Sequence, residues 1–415
     1  MFKKTAPAYY YFLLKTKEFF LKLTFKQLSL AIASVGLLTL YGCGGGSSDS
    51  ATSPPATPTT STKPVTTDAT VSLPVALLSR PQASSCSALR TGNYLFATPD
   101  KSGKLDEQAH NVYINAETLK ISEASDPATS TLVPVANDSC NFTVTGGPLG
   151  GIVNLVVSQA GIIAIRFRND NGTFGMGVGV PLLPATPADL AGTYSAISLD
   201  QFNGVKVATT STFTLNASGT VTAVNQCYNL ISWAVTDANC RAETGPFVTL
   251  RENGNNGFLM VEDASKAVAG VAAFYRAGNS DAMLIIIDKE GGLLFLTQQR
   301  ASTLPAVGTN TPLWNLSLDG NYQSLPLSNY INSIVSVNAA VGSYVQTNQT
   351  VGLNDGQPQT VFINNPRTGY DYRPAATFSD STTVQESTAL SLRGMGLNVA
   401  IFHATKRLSL NIAKP

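Results

Sequence analysis

Short runs in which apolar and polar residues alternate recur along the chain from about residue 70, and turn-forming residues separate them. The stretch "TFTLNASGTVTAV" from Thr212 places two such runs around Asn-Ala-Ser-Gly, and "AMLIIID" and "GLLFLTQ" flank "KEGG" in the same way. A period of two is typical of half-buried strands, and Gly- and Asn-rich turns are typical of hairpins. The chain is therefore predicted to be all-β, built of tandem antiparallel β-sandwich or small β-barrel modules.

Three modules are expected because one pattern returns along the chain. Gly92-Asn93-Tyr94, Gly192-Thr193-Tyr194 and Gly320-Asn321-Tyr322 each precede a strand-like run, and proline-rich connections precede the second and third copies. This spacing of about 100 residues predicts β modules over residues 71–184, 185–304 and 305–415.

The three Gly-x-Tyr segments also resemble the Gly-x-Trp first strand of lipocalins, with Tyr in place of Trp in every copy. In that family the glycine lets strands pass closely and the aromatic ring fills the base of a barrel. The resemblance implies that each copy opens the first strand of its module. It also implies a barrel that carries an apolar ligand.

The first 42 residues have the order of a secretory signal, because six lysines precede an uncharged apolar run from Leu28 to Gly42. This run is shorter than the roughly 20 residues that a membrane-spanning helix needs. Residues 43–70 lack aromatic and nearly all aliphatic side chains, which predicts a disordered tether spanning about 30 Å.

The segment Leu40-Tyr41-Gly42-Cys43 resembles the lipobox of bacterial lipoproteins. In that class the cysteine thiol receives a diacylglyceryl group, the signal is cut before the cysteine, and the new amino terminus is acylated. The resemblance implies a lipid anchor at Cys43, and Gly44 in the following position favours the outer membrane. An ordinary cleaved signal is the alternative.

Four further cysteines suggest disulfides in an exported protein. Three connectivities are possible. We favour the one that pairs Cys86 with Cys140 and Cys227 with Cys240, because each pair then stays inside one module. A zinc site is the rival interpretation, but Cys-x-x-Cys spacing is missing, so no metal is predicted.

The charge balance excludes nucleic acid as a partner. Removing the six lysines and one glutamate before Cys43 from the totals of 27 basic and 26 acidic residues leaves a balance near −4. Proteins that bind nucleic acid need a basic surface to neutralise phosphates. Charged residues make up only 13% of the chain, which is typical of an extracytoplasmic β-protein rather than one with long exposed helices.

The groups that most catalysts use are scarce. His110 and His403 are the only histidines, and we interpret them as a surface residue and a sheet residue. Gly-x-Ser-x-Gly and Walker motifs are absent, and the asparagine-rich segments "NDNG" and "ENGNNG" are interpreted as turns rather than calcium sites. No catalytic residue, cofactor or metal is assigned.

The segment "GYDYRP" from Gly369 is the most suggestive binding motif. On a strand Tyr370 and Tyr372 share one face, while Asp371 and Arg373 share the other. An exposed tyrosine pair could stack on a sugar or a peptide. The alternative is that the two rings simply cover a sheet.

The sequence thus favours a non-catalytic, lipid-anchored envelope protein that acts as a structural or binding component through sheet surfaces. Its partners would be the membrane, through the anchor, and an envelope protein, a glycan or an apolar ligand. The first alternative is a carrier with an apolar cavity of roughly 300 Å³ or more. The second is an extracytoplasmic hydrolase with two carboxylates about 5 to 9.5 Å apart.

Overall fold

Antiparallel strands form nearly all of the regular structure, which confirms the all-β prediction and selects barrels over sandwiches. The computed structural model describes residues 71–99, 109–202, 205–227, 240–254, 257–278, 281–289, 291–350, 356–365, 367–378, 381, 383–392 and 394–415. The predicted signal at 1–42 and the predicted tether at 43–70, including Cys43, lie outside these residues. None of the helices that the structure describes is long and apolar enough to cross a membrane.

The first module is a closed barrel that a short helix and a small hairpin precede. Helix α1 (Val75–Leu78) follows Pro74, and β1 (Gln82–Ala83) pairs with β2 (Cys86–Arg90). Each later strand pairs with its neighbour in sequence, and the last strand returns to the first. The strands of this N-terminal barrel are β3 (Gly92–Ala97), β4 (Ala109–Asn115), β5 (Lys120–Glu123), β6 (Ser130–Pro134), β7 (Asn141–Thr145), β8 (Ile152–Val157), β9 (Ile163–Arg168) and β10 (Phe174–Pro181).

Three alternate glycines in β10 explain how the N-terminal barrel is filled. Side chains from the barrel interior occupy the space where the Cβ atoms of Gly175, Gly177 and Gly179 would lie. At Gly179 an added Cβ would be 2.7 Å from Cζ of Phe96. The alternation "GMGVGV" therefore lets large apolar side chains lie directly against the backbone, which close packing of a small barrel requires.

The second module is a nine-stranded sheet that curls without closing. A 3₁₀ turn (Pro187–Leu190) precedes it, and its spatial order runs β14-β13-β12-β11-β19-β18-β17-β16-β15. A bridge from Thr220 to Thr249 and a hydrogen bond of 2.9 Å from Leu250 N–H to Gly219 O join the edge strand β15 to the turn that precedes β13. The strands of this middle sheet are β11 (Gly192–Phe202), β12 (Val205–Leu215), β13 (Val221–Cys227), β14 (Cys240–Thr244), β15 (Val248–Glu252), β16 (Phe258–Glu262), β17 (Val268–Tyr275), β18 (Met283–Asp288) and β19 (Leu293–Gln298).

Both faces of the middle sheet are covered, which explains its continuous apolar strand. Tyr194, Leu215 and Leu250 share a core cluster inside the curl, whereas Ile197 and Phe295 belong to the large cluster formed with the barrels. A strand buried on both faces loses the polar alternation of a half-buried one. The run "MLIII" in β18, where all five residues are buried, has this pattern.

The third module is again a closed barrel of eight strands. Strand order follows the chain, except that a two-stranded hairpin is inserted between the fifth and sixth barrel strands. The strands of this C-terminal barrel are β20 (Asn310–Leu318), β21 (Ser328–Asn338), β22 (Ser343–Thr350), β23 (Pro358–Ile363), β24 (Tyr370–Arg373), β27 (Ser387–Leu392), β28 (Leu397–Phe402) and β29 (Arg407–Ala413). The inserted hairpin, β25 (Ala376–Thr377) with β26 (Thr383–Val384), adds to no other described strand.

The C-terminal barrel has its polar side chains inside and much of its apolar surface outside. Asn398 and Phe402 of β28 line its cavity, while the intervening Val399 and Ile401 are fully buried in the large core cluster shared with the N-terminal barrel. Neighbouring strands β20 and β29 repeat this arrangement with Leu316 and Leu410. The main core of residues 71–415 therefore lies between modules as well as inside them.

Polar contacts fix the modules to one another. The indole N–H of Trp314 donates to Asp138 Oδ2 at 3.0 Å, and Lys414 Nζ lies 2.9 Å from Asp138 Oδ1, so both link the two barrels. The Tyr275 hydroxyl donates to the carbonyl of Ala160, joining the middle sheet to the N-terminal barrel. The described residues from 71 onward accordingly form one compact unit. The exact module boundaries stay predictions.

Two of the three Gly-x-Tyr segments share a local structure. Gly92 and Gly192 open β3 and β11 with φ angles of 153° and 147°. The hydroxyls of Tyr94 and Tyr194 each donate to the carbonyl four residues earlier, at 2.8 and 3.0 Å.

For the third copy the predicted strand opening is wrong. Gly320-Asn321-Tyr322 lies in the turn after β20, since the Asp319 carboxylate accepts the N–H groups of Asn321 and Gln323. The first strand of that barrel is already complete at this point.

Candidate binding site

The predicted disulfide between Cys86 and Cys140 is confirmed. It ties β2 to the residue that precedes β7. In the middle sheet, Cys227 stands directly opposite Cys240 in the register of β13 and β14, and Cys240 is disulfide-bonded. The Cys227–Cys240 pairing itself stays a prediction, as does lipid attachment at Cys43, which lies outside the described residues.

An exposed pair at Tyr370 and Tyr372 is a wrong prediction. The two rings do share the outer face of β24, but Tyr370 is only 1% exposed, because that face packs on the middle sheet. Its hydroxyl lies 2.9 Å from Ala196 O and 2.6 Å from Ser211 O. Tyr372 is half-buried and donates to Glu386 Oε1 at 3.0 Å. Tyr370 thus attaches one module to another, and a binding role for the pair is not supported.

The two histidines occupy unlike environments. His110, expected at the surface, lies at the mouth of the N-terminal barrel, with Nδ1 3.6 Å from Glu123 Oε1. His403 directly follows β28 and is buried, with Nε2 2.8 Å from Thr388 Oγ1. Burial lowers the pKa of His403 to about 4, so the ring is neutral at pH 7.

The cavity of the N-terminal barrel is small and mainly apolar. It encloses about 200 Å³ and is lined by Phe96, Val112, Ile121 and Ile165, with His110 at its rim. This volume is below the roughly 300 Å³ expected of a carrier for a drug-sized apolar molecule.

The C-terminal barrel contains a larger cavity of about 550 Å³. Its lining is mostly polar, because the strands turn their amide, hydroxyl and charged side chains inward. Charged residues in the lining are Asp371, Arg373 and Arg407. The amide and hydroxyl groups come from Thr311, Asn315, Tyr330, Asn332, Tyr344, Gln346, Asn348, Gln359, Thr383, Gln385, Ser387, Asn398, Ser409 and Asn411.

Register organises one wall of this cavity into rows across β24, β27, β28 and β29. The first row is Arg373, Ser387, Phe402 and Arg407, in which each residue is the direct cross-strand partner of the next. Residues that face one another in this way have side chains close enough to interact. The guanidinium groups of both arginines therefore lie close to the same Phe402 ring.

The second row explains why the barrel is hollow. Asp371, Ala389, Ala400 and Ser409 are successive cross-strand partners one layer deeper. The two central alanines project only a methyl group each into the interior. An eight-stranded barrel is just wide enough for larger side chains to fill it, so small ones leave a space for a ligand.

The third row closes the cavity with amide groups. Ser391, Asn398, Asn411 and Asn315 follow one another across the sheet. Asn315 Nδ2 donates to Asn411 Oδ1 at 2.7 Å, and Asn411 Nδ2 donates to Asn398 Oδ1 at 3.1 Å. A connected network of this kind satisfies buried amides and holds them in fixed orientations.

The opposite wall is also polar. Asn332 Nδ2 donates to Gln346 Oε1 at 2.9 Å and to Asn348 Oδ1 at 2.7 Å. Burial, followed by the nearby Asp371 carboxylate, raises the pKa of Tyr344 well above its ordinary range. Its hydroxyl is therefore protonated at neutral pH and is able to donate a hydrogen bond.

Both arginines remain charged although they are partly buried. Burial, together with the neighbouring charge of Arg407, lowers the pKa of Arg373 to about 10, and burial also lowers the pKa of Arg407. Arg373 donates to Gln359 Oε1 at 2.5 Å and to Gln385 O at 3.3 Å. The described lining thus holds two guanidinium groups and one carboxyl group.

Each of the two barrel cavities is lined by a single carboxylate among the residues that the structure describes, namely Glu123 and Asp371. Glycoside hydrolysis by the usual mechanism needs two carboxyl groups facing one site. The C-terminal barrel holds fixed hydrogen-bond donors and acceptors around a space of about 550 Å³.

Sequence reasoning missed Arg373, Arg407 and the asparagine rows. The available signal was the recurrence of Asn between apolar residues in "WNLSL", "LNVAIF" and "LSLNIA". Alternation shows that a strand has two unlike faces, yet it does not show which face is turned into a barrel.

Comparison with known proteins leaves the family open. No protein-family model matches the chain, and no curated protein matches it. Among solved structures, a DUF3598-family protein of unknown function from Nostoc punctiforme aligns over 56% of this chain and 99% of its own, with 10% identity and a TM-score of 0.21.

Two structures of transferrin binding protein B also align. The protein from Haemophilus parasuis has 12% identity and a TM-score of 0.24, over 78% of this chain and 75% of its own. The protein from Neisseria meningitidis has 11% identity and a TM-score of 0.23, over 74% of this chain and 62% of its own. At TM-scores this low the likeness carries no argument about function.

Proposed function

We propose that this protein is a non-catalytic, lipid-anchored envelope protein that binds a small polar solute inside its C-terminal barrel. The observation that carries the proposal is the 550 Å³ cavity of that barrel, lined by oriented amides, hydroxyls and two arginines. Its volume lies within the range of small-molecule sites in proteins. A barrel that served only as a structural unit would gain stability from an apolar, filled interior.

The polar lining supports one of the ligand classes considered from the sequence over the others. A buried amide or guanidinium group needs hydrogen-bond partners, which an apolar ligand cannot supply. A glycan unit or another polar solute presents such partners on most of its surface. The lining therefore favours a polar solute over an apolar one. The cavity of the N-terminal barrel is apolar, but it is too small to support the alternative of a carrier for an apolar ligand.

The envelope location rests on the sequence around Cys43. Two or three acyl chains hold a protein stably at a membrane, whereas one chain gives only reversible binding. The predicted tether of residues 43–70 would then let the body sample positions some 30 Å from the bilayer. In the proposed arrangement, the anchor is in the outer membrane and the cavity is carried beside it.

Two experiments test the proposal. For the anchor, Cys43→Ser is compared with the unaltered chain in cells labelled with radioactive palmitate. We expect the variant to lose both label and membrane association. Retention of label by the variant would refute lipid attachment at Cys43.

For the cavity, Ala400→Phe and Ala389→Phe place a ring in the hollow row, and Ala264→Phe at an exposed turn serves as the matched control. Saturation-transfer NMR is recorded with a mixture of glucose, N-acetylglucosamine, glucuronate and glucose 6-phosphate. We expect signals from at least one solute, lost in both cavity variants and kept in the control. No signal from any solute, or equal signals in all variants, would contradict the proposal.

A further inference from the structure

We infer that the C-terminal barrel selects solutes that carry an oxyanion, either a carboxylate or a phosphate, and holds that group between Arg373 and Arg407. The inference rests on the proposed function and names the ligand class of the same cavity. It depends on three observations: convergence of the two guanidinium groups, the lack of a described carboxylate paired with either, and the position of the one acid among the described lining residues.

Convergence follows from the distances to Phe402. The guanidinium carbon of Arg407 lies 4.0 Å from the centroid of this ring, and that of Arg373 lies 5.2 Å from the same centroid. The two carbons are thus within about 9 Å of each other, on strands separated by β27 and β28. An anion placed between them would lie near both, as in sites where two arginines share one carboxylate or phosphate.

No acidic side chain among the described residues neutralises the charges of Arg373 and Arg407. No described carboxylate lies within ion-pair distance of either arginine, and the Nε atoms of both are buried without a hydrogen-bond partner. Arg407 makes no hydrogen bond to any described residue, and its guanidinium group lies over the Phe402 ring.

Stacking on the aromatic ring leaves the donors of Arg407 and the Nε–H of Arg373 unused. Placing two like charges together in a partly buried site is unfavourable unless an opposite charge joins them. A purely structural role for the pair therefore does not account for its arrangement.

Asp371, the one acid among the described lining residues, does not take this role. Asp371 belongs to the next row of the cavity, and its Oδ2 accepts a hydrogen bond of 3.4 Å from Ser391 Oγ, on the side of the asparagine network. Its charge offsets one of the two arginines at most. The excess of positive charge stays in the arginine row, which the register places away from the amide end.

The rows thus assign parts of the ligand to parts of the cavity. The oxyanion lies in the arginine row, and the neutral body lies over Ala389 and Ala400 toward the amides of Asn398 and Asn411. Carboxylate and phosphate are both accepted by paired guanidinium groups, so the two sources must be separated by experiment.

Glucose, glucuronate and glucose 6-phosphate provide a matched series, because they share one ring and differ in the anionic group. Binding of each is measured by isothermal titration calorimetry in low salt. We expect at least one of the anionic sugars to bind tenfold or more tightly than glucose. Preference for glucuronate identifies carboxylate as the group, and preference for glucose 6-phosphate identifies phosphate.

Arg373→Gln and Arg407→Gln should each weaken binding of the preferred anion at least tenfold, with little effect on glucose. Arg407→Lys keeps the charge and should restore part of the affinity, and the exposed Arg251→Gln is the matched control. Circular dichroism verifies that each variant is folded, and Arg407→Lys provides the test if the neutral variants do not fold.

A contrary outcome is that glucose and the anionic sugars bind equally well, with affinities that the arginine changes leave unaltered and Ala400→Phe abolishes. That result would overturn this inference and leave the proposed function intact. Binding unaffected by Ala400→Phe, or no binding at all, would overturn both.

Discussion

The hydroxyl oxygen of Tyr370 lies 2.6 Å from the backbone carbonyl oxygen of Ser211, a residue 159 positions earlier in the chain. The same hydroxyl accepts the N–H of Ala196 at 2.9 Å. Among the described contacts, Tyr370 is the only residue of β24 that forms hydrogen bonds to both β11 and β12 of the middle sheet. The C-terminal barrel is therefore attached to the middle sheet by a buried polar contact, as well as by apolar packing.

Replacing Tyr370 by Phe should lower the free energy of unfolding by about 1–3 kcal/mol, because it leaves buried backbone groups without a partner. Urea unfolding followed by circular dichroism measures this change. Tyr113→Phe, on an exposed side chain of β4, is the control and should alter stability by less than about 0.5 kcal/mol. Equal stability of the two variants would show that the Tyr370 bond contributes nothing net.

Gly179→Ala should destabilise the N-terminal barrel by about 1–3 kcal/mol, since the new methyl group would lie 2.7 Å from the Phe96 ring. The measurement is again urea unfolding. Adding Phe96→Leu makes room for the methyl group, so the double variant should be more stable than the sum of the single effects predicts. Strict additivity would mean that the two residues do not collide.

The hairpins were predictable from sequence because their signals are local. In the turn between β12 and β13, the Asn216 side chain accepts N–H groups from Ser218 and Thr220, as its place in Asn-Ala-Ser-Gly suggests. Barrel closure was not predictable in this way. The pairing of Tyr94 with Pro181 joins strands that are far apart in the chain, and neither residue carries a mark of its partner.

The candidate site was beyond sequence reasoning for a related reason. Val399 faces out of its barrel only because another module covers it, so the inward direction of Asn398 depends on packing between modules. Arg373 and Arg407 come together through the intervening partners Ser387 and Phe402. The motif around Tyr370 drew attention to the right strand but to its wrong face.

The buried His403 predicts a pH dependence of stability. Its pKa is lowered by burial to about 4, against about 6.5 in the unfolded chain. Between these values the unfolded chain binds a proton that the native protein does not. The stabilisation is therefore complete above pH 6.5 and is lost as the pH falls toward 4, by about 3 kcal/mol in all.

His403→Gln should remove this contribution, so the difference in unfolding free energy between the unaltered protein and the variant should shrink as the pH drops from 7 to 4. Urea titrations at four pH values give that difference, and other titrating groups cancel in it. His110→Gln at the barrel mouth is the control. A difference that stays constant with pH would contradict the assignment.

The Cys86–Cys140 disulfide should contribute substantially to stability, because it closes a loop between residues 54 positions apart. The chain-entropy model gives about 4 kcal/mol for a loop of this length. Cys86→Ser with Cys140→Ser should lower the free energy of unfolding by about 2–5 kcal/mol. A reductant should lower the stability of the unaltered protein more than that of the double variant, in which only the disulfide at Cys240 is left to reduce.

The outward apolar faces of β20, β28 and β29 limit how this protein can be taken apart for study. A fragment that contained only the C-terminal barrel would expose to water an apolar surface that includes Leu316, Ile401 and Leu410. Such a fragment would aggregate or require detergent. Binding titrations on it would then measure nonspecific apolar association instead of binding in the cavity. Work on the cavity therefore calls for all three modules on one polypeptide.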